Sequence, residues 1–65
     1  MKILINEQRV KKGVSLRKLS AMTGISKSAL NDHENGKPSP TLLQLELIAK
    51  ALNIRITDLF ESDFK

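Results

Sequence analysis

Glycine and proline cut this chain into helix-length pieces, and the shortest cut limits the fold most: only Gly24-Ile25 lies between a segment opened by Ser15 and one opened by Ser26. Ser15 is placed to cap a helix running through Thr23, and Gly24 ends that helix in the left-handed conformation a Cβ disfavours. Ser26 then caps a further helix, from Lys27 to about Asn35, which the Asn35-Gly36 dipeptide terminates. Two short helices joined by so tight a turn form a helix-turn-helix, over about residues 15–35.

The other breaks place the remaining elements. Residues 3–12 are rich in good helix formers, with Ile5 and Arg9 one turn apart and Lys11-Lys12 in the last turn, where cations suit the dipole. Gly13 is the stop. After the loop Asn35-Gly36-Lys37-Pro38-Ser39-Pro40, Thr41 and Gln44 make a capping box ahead of Leu42, Leu45, Ile48, Ala49 and Leu52. That spacing is a helical core stripe, and Asn53 ends it. Leu43 and Leu47 fall off the stripe about one turn apart, either as ordinary surface scatter or as a partner surface. Ile56, Leu59 and Phe60 predict a short fifth helix, with residues 62–65 fraying. No stretch alternates with period two for long enough to make a sheet. The expectation is one all-α domain of five helices spanning residues 1–65.

Composition narrows what such a domain can do. A chain of 65 residues buries only about 60% of the surface its unfolded form exposes, which disfavours an enclosed active site. With no Cys there are no disulfides, thiolate metal sites or thiol chemistry, and the single His cannot form an imidazole cluster for zinc. The run Asp32-His33-Glu34 looks like an acid/base or metal cluster, but consecutive helical residues point about 100° apart and cannot converge on one atom. No enzyme activity, metal or cofactor is therefore expected. No apolar run approaches the roughly 18 residues of a membrane span, and the start MKILINEQR has too short an apolar stretch for a signal peptide, so the cytoplasm is the expected location.

Charge is uneven. The net charge is +4, yet residues 1–31 hold seven Lys/Arg against Glu7 alone, while residues 32–65 hold four against six Asp/Glu. One face turned to a polyanion fits this pattern, and nucleic acid is the first to consider; lysines that serve only solubility fit it too. On a helical wheel, Ala29, Leu30 and His33 fall on one side of the third helix. Lys27, Ser28, Asn31, Asp32 and Asn35 fall on the other. Short polar side chains of this kind suit base edges in the major groove. A solvated helix face has the same composition, and this helix alone does not separate the two.

The register of the whole chain adds a resemblance. Arg9, Gly13, Ser15, Leu19, Gly24-Ile25-Ser26, Leu30, Glu34-Asn35-Gly36, Pro40, Leu45, Ile48-Ala49-Lys50-Ala51-Leu52, Ile54 and Leu59 stand in order without insertion over about fifty residues. From Arg9 through Phe60 the sequence resembles the lambda-repressor/Cro-like helix-turn-helix family, also called the xenobiotic-response-element (XRE) family. The resemblance implies a compact five-helix domain that binds double-stranded DNA, usually as a homodimeric transcription regulator of phages, plasmids and bacteria. It makes the third helix the recognition helix, with base contacts from Lys27, Ser28 and Asp32 and a fourth candidate in Asn31. Ser26, Asn35 and Lys37 match positions that hold phosphates, and Arg9 and Glu34 match an ion pair joining the first helix to the third.

Departures from the family pattern lie near the expected DNA. Leu16 stands where the family often has a phosphate-binding Gln, leaving Arg17 or Lys18 to supply the charge. Ser20 replaces the usual small alanine and His33 the usual aromatic. Arg55 replaces a capping Ser or Asp, so the fifth helix is expected to start less firmly.

These readings converge on a sequence-specific transcription regulator, a repressor, bound as a homodimer to a near-palindromic operator. Leu43, Leu47, Ile56, Phe60 and Phe64 are the candidate dimer surface, although Ile56 and Phe60 also suit the core. A chain that stops after the fifth helix leaves no room for a sensing domain, so control would come from concentration, a partner or turnover; the sequence equally suits a piece of a longer protein. The rival reading is an antitoxin or other protein-interaction module whose Leu43, Leu47 and C-terminal apolar residues cover a partner. A membrane-surface helix is the weaker third, because Lys2, Lys11 and Lys12 lack a Trp/Phe-rich apolar face.

Overall fold

The computed structural model describes residues 1–65. Four α-helices follow in order: α1 (Ile5–Lys11), α2 (Leu16–Thr23), α3 (Lys27–Glu34) and α4 (Leu42–Leu52). Local chemistry explains their ends. The Ser15 hydroxyl accepts from the Lys18 N–H at 3.0 Å, and the Ser26 hydroxyl accepts from the Ala29 N–H at 3.1 Å. Thr41 and Gln44 bond reciprocally, at 3.1 and 2.9 Å, completing the capping box of α4. Asn53 ends α4 with φ 55°, a left-handed position that Asn tolerates better than most side chains.

Each element contributes to one core. Ile5, Leu19, Leu30, Ile48 and Leu59 are fully buried, joined by Leu45, Ala49 and Leu52. Ile3, Val14, Leu16, Ile25, Ile54, Ile56 and Phe60 pack around them. Burying one such Leu or Ile is worth about 1.5–3 kcal/mol before entropy, enough to fix which way an eight-residue helix faces. Leu30 thus turns the opposite side of α3 to solvent.

Three expectations are corrected. The first helix begins at Ile5 rather than residue 3, because Lys2–Ile3 (β1) pair antiparallel with Phe60–Glu61 (β2). This two-residue ladder, extended by the Leu4 N–H donating to the Leu59 carbonyl at 2.8 Å, is too short to leave an alternating pattern. The fifth helix is a single 3-10 turn, Ile56–Leu59, so the chain has four α-helices, not five. Arg55 offers no side-chain acceptor there; instead the Asp58 carboxylate accepts from the Arg55 N–H at 3.0 Å, and Phe60 leaves in extended conformation into β2.

The third correction concerns α4. Leu42, assigned to the core stripe, is 76% exposed, because the stripe runs past the edge of the core at the first residue of the helix. It joins Leu43 (65%) and Leu47 (36%) as exposed leucines on one helix. Of the other candidate dimer residues, Phe64 is 97% exposed, whereas Ile56 and Phe60 are half-buried against the core. No helix is long and apolar enough to cross a membrane.

Candidate nucleic-acid interface

The turn between α2 and α3 holds the candidate reading helix in place. Gly24 sits at φ 76°, and a Cβ built there would meet nothing within 4 Å, so the demand on this position is backbone conformation and not space. Around it the polar groups are paired. The Ser20 hydroxyl donates to the Ile25 carbonyl at 2.6 Å, the Thr23 hydroxyl donates to the Leu19 carbonyl at 2.8 Å, and the Ile25 N–H donates back to the Thr23 hydroxyl at 3.2 Å. Leu19 and Leu30, both fully buried, clamp the two helices from beneath.

The far end of α3 is equally tied. The Gly36 and Lys37 N–H groups donate to the carbonyls of His33 and Asp32, both at 3.0 Å, a closure that needs the left-handed Gly36 (φ 75°). His33 is buried and donates from Nδ1 to the Pro38 carbonyl at 2.8 Å, anchoring the following loop. Arg9 on α1 grips Glu34 in a bidentate pair, Nε at 3.1 Å and Nη2 at 3.2 Å, and its Nη1 donates to the Val14 carbonyl at 3.0 Å. The pair therefore joins α1, the turn after it and the last residue of α3.

What remains free on α3 is a single polar face. Lys27, Ser28, Asn31 and Asp32 are exposed, as is Asn35 just beyond. Their side chains make no hydrogen bond or ion pair within the chain, so their donors and acceptors are available to a partner. Eight residues span about 12 Å, comparable to the width of the B-DNA major groove. Around this face lie Arg17 and Lys18, exposed in the first turn of α2, and Lys37 in the loop after α3. Ser26 accepts the capping bond, which leaves its hydroxyl proton free to donate outward. Leu16 packs against the core.

The adjacent Asp32, His33 and Glu34 diverge, toward solvent, the Pro38 carbonyl and Arg9 respectively. No three His, Cys, Asp or Glu side chains come together in a metal-holding group. Two contributors were not visible as functional in the sequence. Ser20 and Thr23 act through hydroxyls that stitch the turn, and their spacing three apart on the inner side of α2 was the available signal.

Comparison with known proteins agrees with this geometry. The profile of a family described as Helix-turn-helix matches residues 5–59, most of the chain. The solution structure of the N-terminal DNA-binding domain of SinR, the master biofilm regulator of Bacillus subtilis, superposes with a TM-score of 0.77 at 27% identity, covering 100% of this chain and 97% of that one. No curated protein matches the sequence. The chain belongs to the XRE, or lambda-repressor/Cro-like, helix-turn-helix family of DNA-binding transcription regulators.

Proposed function

We propose that this helix-turn-helix protein is a cytoplasmic, sequence-specific repressor that binds a near-palindromic operator as a homodimer. The observation that carries the reading is the one-sided α3: a buried Leu30 and His33 behind an exposed, unpaired row of Lys27, Ser28, Asn31 and Asp32. In this reading Lys27 donates to guanine, Asn31 pairs with adenine, and Asp32 accepts from a cytosine amino group. Asp32 also filters, since near phosphates its carboxylate is repelled unless it finds a donor. Arg17, Lys18, Ser26, Asn35 and Lys37 hold phosphates and set the register, and no catalytic step is assigned.

Two copies would place their α3 helices in successive major grooves roughly 34 Å apart. The exposed Leu43 and Leu47, with Leu42 beside them and Phe64 at the C-terminal end, are the apolar surface available to a second copy. The same leucines favour the alternative of an antitoxin or other protein-interaction module.

Selection of the purified protein on a random duplex pool at near-physiological salt tests the choice. An enriched inverted repeat with half-sites about one turn apart supports the dimeric regulator. No enrichment by a folded sample favours the interaction module.

A further inference from the structure

We propose that the concavity between β1 and the loop after α3 is a second phosphodiester site, in which Lys2 joins Lys37 to hold the DNA backbone beyond the bases that α3 reads. This inference rests on the DNA-binding reading of α3 and extends its phosphate track to a residue far away in sequence. The concavity has a volume of about 380 Å³ and is lined by residues 1–3 on one side and by residues 34–37 with Ser39 on the other. A concavity of this size has room for a phosphate group.

Its electrostatics favour an anion. Both carboxylate oxygens of Glu34 are taken by Arg9, so that pair adds little net charge. Lys37 has no ion-pair partner, and Lys2 reaches only the exposed Glu7, at 3.9 Å, the limit of contact, while Glu61, opposite Lys2 in the ladder, is bonded by Lys65 at 3.2 Å. Lys2 and Lys37 therefore line one concavity from its two sides, where field lines concentrate. Asn35 and Ser39 add neutral hydrogen-bonding groups, and Gly36 presents backbone without a side chain. The wall is held from both sides: pairing of Lys2 with Glu61 and Ile3 with Phe60 fixes β1, and the Lys37 N–H bond to the Asp32 carbonyl fixes the loop. The site is continuous with the end of α3, which is why its anion is a phosphate of the same duplex.

The test measures affinity of the full chain for its selected duplex by fluorescence anisotropy across salt, for wild type, Lys2→Gln and Lys2→Arg. Lys2 pairs through backbone groups and is exposed, so the variants retain the ladder. Lys2→Gln is expected to lower the steepness of log affinity against log salt by about 0.9, so that its deficit narrows about 3.5-fold between 50 and 200 mM salt. Lys2→Arg keeps the wild-type slope. Duplexes carrying a neutral methylphosphonate at single backbone positions then locate the contact. One position outside the bases read by α3 should weaken wild type but leave Lys2→Gln unaffected. If the two proteins share one salt slope, or respond alike at every neutralised position, the Lys2 site is overturned while the reading of α3 stands. If wild type binds no duplex at all, that reading fails and this one with it.

Discussion

Removing the Glu34 carboxylate should destabilise the domain far more than its position at the end of a short helix suggests. The Glu34 side chain is 9% exposed and that of Arg9 16%, and the two share two hydrogen bonds. In Glu34→Ala the guanidinium keeps the Val14 carbonyl and a long 3.4 Å contact to Asn6, but loses its only counter-charge. Breaking a fully buried pair costs about 3–5 kcal/mol by leaving the remaining charge uncompensated. Discounting for the residual exposure and the surviving bond to Val14 gives about 2–3 kcal/mol. A domain of this length has roughly 3–10 kcal/mol in total, so the variant would lie near the limit of folding. Thermal melting followed by far-UV circular dichroism should show Tm falling by about 10–20 °C, at about 4–8 °C per kcal/mol. The scan is made at two protein concentrations, because dimerisation would make Tm depend on concentration. A double-mutant cycle with Arg9→Ala isolates the coupling, and the double variant should be less than additively destabilised. A Glu34→Ala protein within about 0.5 kcal/mol of wild type would refute the reasoning.

Other perturbations probe the turn, the phosphate contacts and the leucines. Gly24→Ala should cost about 1–2 kcal/mol in urea melts, entirely from the left-handed backbone since the site has space for the methyl; an unchanged midpoint would contradict this. Ser20→Ala leaves the Ile25 carbonyl without its 2.6 Å donor and should cost about 1 kcal/mol by the same measurement. Lys37→Ala should weaken binding about equally on all duplexes and reduce the salt slope by about 0.9, read by anisotropy; a changed sequence preference would make it a base reader. If the proposed homodimer forms through Leu43 and Leu47, Leu43→Ser with Leu47→Ser should shift sedimentation velocity from dimer to monomer while α3 retains weak binding to a single half-site; a wild type that sediments as a monomer, or a variant that stays dimeric, would contradict it.

How far the sequence foretold this structure depended on how local each feature is. Gly24, Asn35-Gly36 and the Thr41-Gln44 box act within a few residues, and the helices end where they predict. The split of α3 into a buried Leu30 and His33 and an exposed Lys27-Ser28-Asn31-Asp32 side follows from helical spacing alone. The β1–β2 ladder joins residues nearly sixty apart through two pairs, which no periodicity announces. It also moved the start of α1 and shortened the expected fifth helix to a turn, because Phe60 is drawn into the ladder. Leu42 shows the limit of the wheel, which gives direction around a helix but not where the core stops along it. In the candidate site, the place of Lys2 beside Lys37 was hidden for the same reason as the ladder that puts it there.

Whether α3 reads bases is tested most directly by repeating the duplex selection with Lys27→Ala and Asp32→Ala beside wild type. The account predicts that each variant enriches a site altered at one position per half-site, in symmetry-related places about one helical turn apart, with discrimination there reduced by about 1–3 kcal/mol. The same enriched sequence from all three proteins would contradict it.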